Sequence, residues 1–185
     1  MSHVLVVGGT GMLKDVSLYF ATHGMKVSVV ARDQKKFEEL IMSKDSYGFI
    51  NPVRVDYTDY EQLKRKLTNA VNIYGPIETA VCWIHSTAPD AVHIIAELLN
   101  EANIPVKFYH ILGSESANPA IIKEDFQQTL YRFKNLTYKK IILGFVTEDE
   151  NSRWLTNTEI GNGVIDALKK DEDVFVVGKV EPWEM

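Results

Sequence analysis

The 185-residue chain is 45% hydrophobic and 24% charged, and its 20 Lys and Arg against 25 Asp and Glu leave a formal net charge of −5. Displacing counterions from nucleic acid or an anionic membrane takes a surplus of cations, so this acidic balance argues against both as partners. Length and hydrophobic content suit one domain with one sizeable core, taken as 1–185. The single cysteine, Cys82, lies in the apolar stretch TAVCWI, where an inert buried thiol is expected and no intrachain disulfide can form. With no charged leader and no apolar run approaching ~18 residues, the expectation is a cytoplasmic protein. The sequon Asn135-Leu136-Thr137 then carries no sugar.

Apolar runs of strand length recur at 4–8 (VLVVG), 26–31, 51–56, 78–84, 106–112, 139–146 and 174–178. Most are apolar at every position, as parallel strands buried on both faces must be. Stretches with helical spacing lie between them. The first runs from Met12 to His23 and stops at Gly24; the others cover Gln34–Met42, Asp59–Tyr74, Asp90–Ala102, Ala120–Leu136 and Thr158–Lys170, each with an apolar stripe opposite a charged face. Asp59 and Pro89-Asp90 are start signals and Gly75-Pro76 a stop. The gaps SKDSYGF and TEDENSRWL have no periodic pattern and are expected to be mobile loops. Strict strand–helix alternation with right-handed crossovers predicts an α/β fold: a single doubly wound parallel sheet of about seven strands, the Rossmann arrangement, with helices on both faces.

In such a sheet, ligands bind beyond the carboxyl ends of the strands where strand order reverses. The first strand ends there in Gly8-Gly9-Thr10-Gly11. Glycine admits positive φ and lets backbone approach a diphosphate, while free amides at a helix start attract the anion. Gly8, Gly9, Thr10, Gly11 and Met12 therefore form a candidate phosphate cradle. In a G-x-x-G-x-x-G spacing, Gly8 and Gly11 match, but Lys14 stands where the third glycine would give close helix–strand packing. Lys14 should loosen that contact or turn its stem outward. Its ammonium is either a solvated helix charge or an extra cation for the cofactor phosphates.

After the second strand, VVARD offers no acid in the position that would bind a free ribose 2′-hydroxyl, since Val30 and Ala31 end the strand. Arg32 follows, and a guanidinium there can fork onto a 2′-phosphate. NADP(H) is therefore expected as cofactor, with NAD(H) the alternative. Asp33 is read as a cap of the following helix.

The chain resembles the short-chain dehydrogenase/reductase superfamily through GGTGML, VVARD, VDYTD at 55–59, the ILGS ending of the fifth strand, and RWLTNTEIGNGVIDAL followed by VFVVGKV. The resemblance implies that Asp56 and Tyr57 border the adenine. It likewise places Trp83, Ile84 and His85 along the ribose side of the cofactor, and Val146 and Thr147 near the nicotinamide. It also implies a homodimer or homotetramer built through helices flanking the sheet; Trp183, near the C-terminus, is a candidate exposed contact.

Relatives of this kind use a Ser to orient the substrate oxygen and a Tyr with a Lys four residues later to handle its proton. Ser114 fits the first role, but no Tyr-x-x-x-Lys follows. The nearest arrangement, Tyr131 with Lys134, has a spacing of three, which still shares a helical face but also suits the edge of an amphipathic stripe. His85, on the cofactor rim, is the other candidate for moving a proton. Glu115 borders Ser114, whereas His110 reads as a satisfied core residue. No His, Cys and carboxylate cluster has metal-ligand spacing, and no Gly-x-Ser-x-Gly elbow suggests a hydrolase. The expected function is an atypical oxidoreductase acting on an unidentified small carbonyl or alcohol. The alternative is a nucleotide-binding sensor or regulatory module that lacks the proton relay.

Overall fold

A computed structural model of the protein describes residues 1–117, 128–148 and 151–181. Strands β1 (His3–Val7), β2 (Lys26–Ala31), β3 (Ile50–Arg54), β4 (Ile77–Trp83), β5 (Val106–Gly113) and β6 (Leu136–Leu143) all join one sheet. Between them lie helices α1 (Lys14–Thr22), α2 (Gln34–Met42), α3 (Tyr60–Tyr74) and α4 (Pro89–Glu101). Beyond β6 come a hairpin, β7 (Phe145–Glu148) and β8 (Asn151–Trp154), then α5 (Asn157–Lys170) and a last sheet strand, β9 (Val174–Val177).

The seven-stranded sheet has the order β3-β2-β1-β4-β5-β6-β9, and every pair in it is parallel. Successive side chains alternate between its faces. Leu5 and Val7 join the core under α3 and α4, while Val4 and Val6 join the core under α1, α2 and α5. Burial on both sides is why these strands read as continuous apolar runs. The order reverses between β1 and β4, so a crevice opens at their carboxyl ends, where the glycine turn and Trp83–His85 lie.

Local signals set most helix boundaries. Asp33 caps α2, its carboxylate accepting from the Lys36 amide at 3.1 Å, and Asp59 caps α3 through the Gln62 amide. Gly75 ends α3 at φ +86°. α5 starts in a capping box in which Thr156 and Glu159 satisfy each other's amides. The fork of Arg153 on Glu159, together with the Thr156 amide, holds that carboxyl down at about 2.

Two expectations change. The strand expected over 139–146 ends at Leu143, and most of the gap TEDENSRWL is not patternless: β7 and β8 pair antiparallel, Phe145 opposite Trp154. All four residues of β8 are exposed, so no apolar alternation marked it. Gly144, between β6 and β7, lies so close to Lys179 that a Cβ on it would be 2.0 Å from the Lys179 carbonyl oxygen. The helix expected to reach Leu136 ends earlier. Residues 128–130 are helical, and Leu136 already belongs to β6, paired with Val106. The rest of that helix, and Trp183, lie outside the described residues.

The core also encloses polar groups. His3, 1% exposed, has Nδ1 2.8 Å from the Gly75 carbonyl oxygen, to which it must donate, so its neutral Nε2 accepts from Ser28 at 2.7 Å. His110 is satisfied by the Tyr138 hydroxyl at 2.9 Å, as expected of a core residue. Burial lowers the proton affinity of both, in His110 to about 4. A base whose folded pKa is depressed contributes stability that is complete above its unfolded value near 6.5 and is lost as pH falls toward the folded value. Urea midpoints should therefore decline between about pH 6.5 and 4, and His110→Asn should flatten that slope. An unchanged slope in the variant would assign the decline to other groups.

Candidate functional site

The three glycines after β1 have three different reasons to be there. Gly8 turns the chain at φ +84° and sends its amide to the Val30 carbonyl at 2.9 Å. Its Cα faces Trp83, whose Cβ and Cδ1 would sit 3.6 Å from an added methyl. Gly9 is buried, and a Cβ on it would lie 2.5 Å from Ser17 Oγ, 2.8 Å from Val29 and 2.9 Å from Val6. Gly9, not the position of Lys14, therefore supplies the close helix–strand contact, and Ser17 fastens it by donating to the Gly9 carbonyl at 2.9 Å. The expected loosening at Lys14 does not occur. Lys14 is half-buried, opens α1, and sends its amide to the Gly11 carbonyl.

Gly11 is required by neither conformation nor packing. Its φ is not positive, and a Cβ there would meet nothing within 4 Å. Among the described residues, the amides of Gly9, Thr10, Met12 and Leu13 bond to no other backbone group, and Leu13, the N-cap of α1, gives no side-chain cap. An open face at Gly11 beside unpaired amides at a helix start fits an approaching phosphate.

On the outer half of the crevice, Arg32 and Asp56 stand side by side at the ends of β2 and β3. Arg32 Nη1 is 3.1 Å from Asp56 Oδ2. The other oxygen of Asp56 accepts from the amide of Thr58 at 3.0 Å and from its hydroxyl at 2.8 Å. Those Thr58 bonds, then the Arg32 contact, hold the carboxyl below its ordinary range. Lys35 and Lys36, in the first turn of α2, and Arg54, at the end of β3 with Nη1 3.3 Å from Gln34, add positive charge nearby. The sequence reading missed these cations and Thr58, although QKK directly after ARD and the Asp-x-Thr spacing were visible signals.

The inner half is built from β4 and β5. Trp83 packs over Gly8, Ile84 turns to the opposite core, and the His85 amide donates to the Tyr57 hydroxyl at 3.3 Å, tying the ends of β3 and β4 together. His85 Nδ1 accepts from the Thr87 amide at 3.4 Å, which directs the ring's proton to Nε2. Since Trp83 pairs with Ile111, His85 reaches the level of Gly113, one residue before Ser114. Ser114 and Glu115 open a short 3₁₀ turn there. Val146 and Thr147 leave the same edge in β7, opposite Arg153 and Ser152.

Tyr131 and Lys134 do not join this group. They precede β6, at the amino edge of the sheet. The Tyr131 ring packs edge-on against Tyr138 with centroids 5.0 Å apart, and Tyr138 pairs with Phe108, six residues before Ser114 along β5. At ~3.3 Å per residue that is roughly 20 Å of strand. The helical face that would have paired Tyr131 with Lys134 is absent, because the helix has ended by residue 130. Burial, not a neighbouring cation, dominates the raised pKa of Tyr131. Cys82 is fully buried, its thiol pushed up by desolvation, and the described residues hold no cluster suited to a metal. None of their helices is long and apolar enough to cross a membrane.

No protein-family model and no curated protein matches the chain. Solved structures match along nearly its whole length. A short-chain dehydrogenase/reductase from Serratia marcescens is 12% identical with a TM-score of 0.71, covering 96% of each chain. An apo SCOR enzyme from Clostridium thermocellum is 17% identical with a TM-score of 0.68, over 96% of this chain and 91% of that one. A variant of actinorhodin polyketide ketoreductase, determined with NADPH, is 12% identical with a TM-score of 0.69, over 96% and 95%. The chain thus has the fold of short-chain dehydrogenase/reductases.

The two crowded and open glycines give a direct test of the turn. Gly9→Ala should cost about 1–3 kcal/mol, as overpacking does, whereas Gly11→Ala should stay within about 0.5 kcal/mol of the parent. Denaturant unfolding measures both, and equal losses would contradict the geometry.

Proposed function

We propose that the protein binds NADP(H) across the β1–β4 crevice and works as an oxidoreductase on a small carbonyl or alcohol. The observation that carries this reading is Gly11, a glycine the protein's own packing does not need, with open space on its Cα face and unpaired amides around it. The fold it shares with dehydrogenases and reductases, one of them determined with NADPH, supports the same reading.

The glycine turn and the start of α1 would hold the diphosphate, with Lys14 adding charge. Tyr57 and Asp56 would border the adenine, and Arg32 would meet the 2′-phosphate. Trp83, Ile84 and His85 would line the ribose side, with Val146 and Thr147 toward the nicotinamide. When bound, the cofactor supplies hydride-transfer chemistry. The chain's own task is to orient the substrate oxygen and manage its proton. Ser114 Oγ donates a hydrogen bond to that oxygen. His85, whose strand-end position neighbours Ser114, gives or takes the proton at Nε2; Tyr131, at the far edge, has no part in this scheme.

A second reading has its own support. Tyr131 and Lys134 lie at the amino edge, so among the described residues they give the site no phenol–ammonium pair, as expected of a module that binds the nucleotide and does no chemistry.

One set of measurements separates them. NADPH should bind with micromolar or tighter affinity, seen by its fluorescence, and Gly11→Val should weaken binding at least tenfold with little change in stability. In a carbonyl panel followed by NADPH absorbance, turnover should fall by roughly a hundred- to ten-thousandfold in Ser114→Ala and in His85→Gln, the range of oriented hydrogen-bond and general-acid contributions. Tight binding with no turnover on any carbonyl would favour the binding module. No binding of either nucleotide would end both readings.

A further inference from the structure

We infer that Asp56 is a built-in counter-anion for Arg32: its carboxylate holds the place on the guanidinium that a ribose 2′-phosphate would take, and so sets how strongly the site prefers the phosphorylated nucleotide. This rests on the dinucleotide reading above and concerns its selectivity.

The geometry gives Asp56 two distinct oxygens. Oδ1 is fixed by the amide and hydroxyl of Thr58, at 3.0 and 2.8 Å, and the turn is closed further by the Asp59 amide on the Asp56 carbonyl at 2.9 Å. The carboxylate is therefore anchored whether or not Arg32 stays. Oδ2 faces Arg32 through Nη1 alone among the described contacts, at 3.1 Å. The guanidinium is the mobile partner: its side chain is 73% exposed, against 39% for Asp56. An exposed ion pair of this kind contributes little, so breaking it is cheap, while a fork onto phosphate is a stronger charge-assisted contact.

The consequence depends on the ligand. A nucleotide with a free 2′-hydroxyl leaves the Arg32–Asp56 pair intact. A 2′-phosphate that forks onto Arg32 competes with Oδ2 for Nη1 and sits near the carboxylate, a like charge. Asp56 thus works against the phosphorylated nucleotide, and Arg32 works for it. Lys35, Lys36 and Arg54 stand on the same rim and keep the surroundings cationic once Arg32 has turned. Asp56 acts in two ways, by pairing with Arg32 and as a like charge beside the 2′-phosphate.

Adenosine 2′,5′-bisphosphate and ADP separate this from the dinucleotide reading itself. Asp56→Asn keeps an Oδ1 acceptor for Thr58 but presents an amide to Arg32. It should raise the ratio of bisphosphate to ADP affinity roughly three- to tenfold above the parent's, the scale of one exposed pair plus a screened repulsion; the ratio cancels any effect on the adenine, which both ligands carry. In Arg32→Gln the order should invert, the bisphosphate binding more weakly than ADP because the unpaired carboxylate repels it. Calorimetric titration of all three proteins gives both comparisons. A bisphosphate-to-ADP affinity ratio that is unchanged or lower in Asp56→Asn overturns the inference, as does bisphosphate binding by Arg32→Gln that equals or exceeds its ADP binding. If the parent binds neither ligand, the dinucleotide reading fails and this one with it.

Discussion

The crowded contact at Gly9 is what the rest of the crevice depends on. Helix α1 approaches β1 and β2 so closely that no side-chain atom fits between Ser17, Val6 and Val29, and the Ser17 hydroxyl converts that proximity into a bond to the Gly9 carbonyl. Docked this way, the helix presents its uncapped amino end to the space beyond β1. A bulkier residue at Gly9 would push the helix out and carry those amides away from the crevice. Close packing and open ligand space are therefore two sides of one turn: Gly9 is crowded so that Gly11 can be open.

Charge is distributed by the same logic. The protein is acidic overall, yet the ends of β2 and β3 collect Arg32, Lys35, Lys36 and Arg54. On an acidic body, a local cationic rim concentrates positive potential at one crevice. Elsewhere, buried charges are held by several partners at once. Lys139, buried within the sheet, reaches the Asp171 carbonyl at 2.7 Å and Asp173 at 3.0 Å, while Lys107 and the Tyr109 hydroxyl also converge on the Asp171 carboxylate, which they hold down at about 2. That knot fixes the end of α5 to β5 and β6, and with it the connection into β9.

Much of the architecture was legible because burial on both sheet faces forces long apolar runs, and because Asp33, Asp59, Gly75 and Pro89 signal boundaries through local chemistry alone. The β7–β8 hairpin was not, since strands with no buried face carry no periodic signature. The end of the helix before β6 was misplaced for a related reason. Leu130, Phe133 and Leu136 keep helical spacing, yet all three pack into the same core from a helical turn, a loop and a strand in succession.

The sequence by itself determined the parallel α/β sheet, the glycine turn at its switch point, and the presence of Arg32, Asp56, His85 and Ser114 at strand ends, because each follows from residues near one another in the chain. Tertiary structure alone decided which glycine is crowded and which is open, that Arg32 faces Asp56, and that Tyr131 lies at the opposite edge from Ser114. Those relations join residues distant in sequence, and in a parallel sheet every strand carries its two ends to opposite rims, so a residue just before β6 and one just after β5 lie at opposite rims.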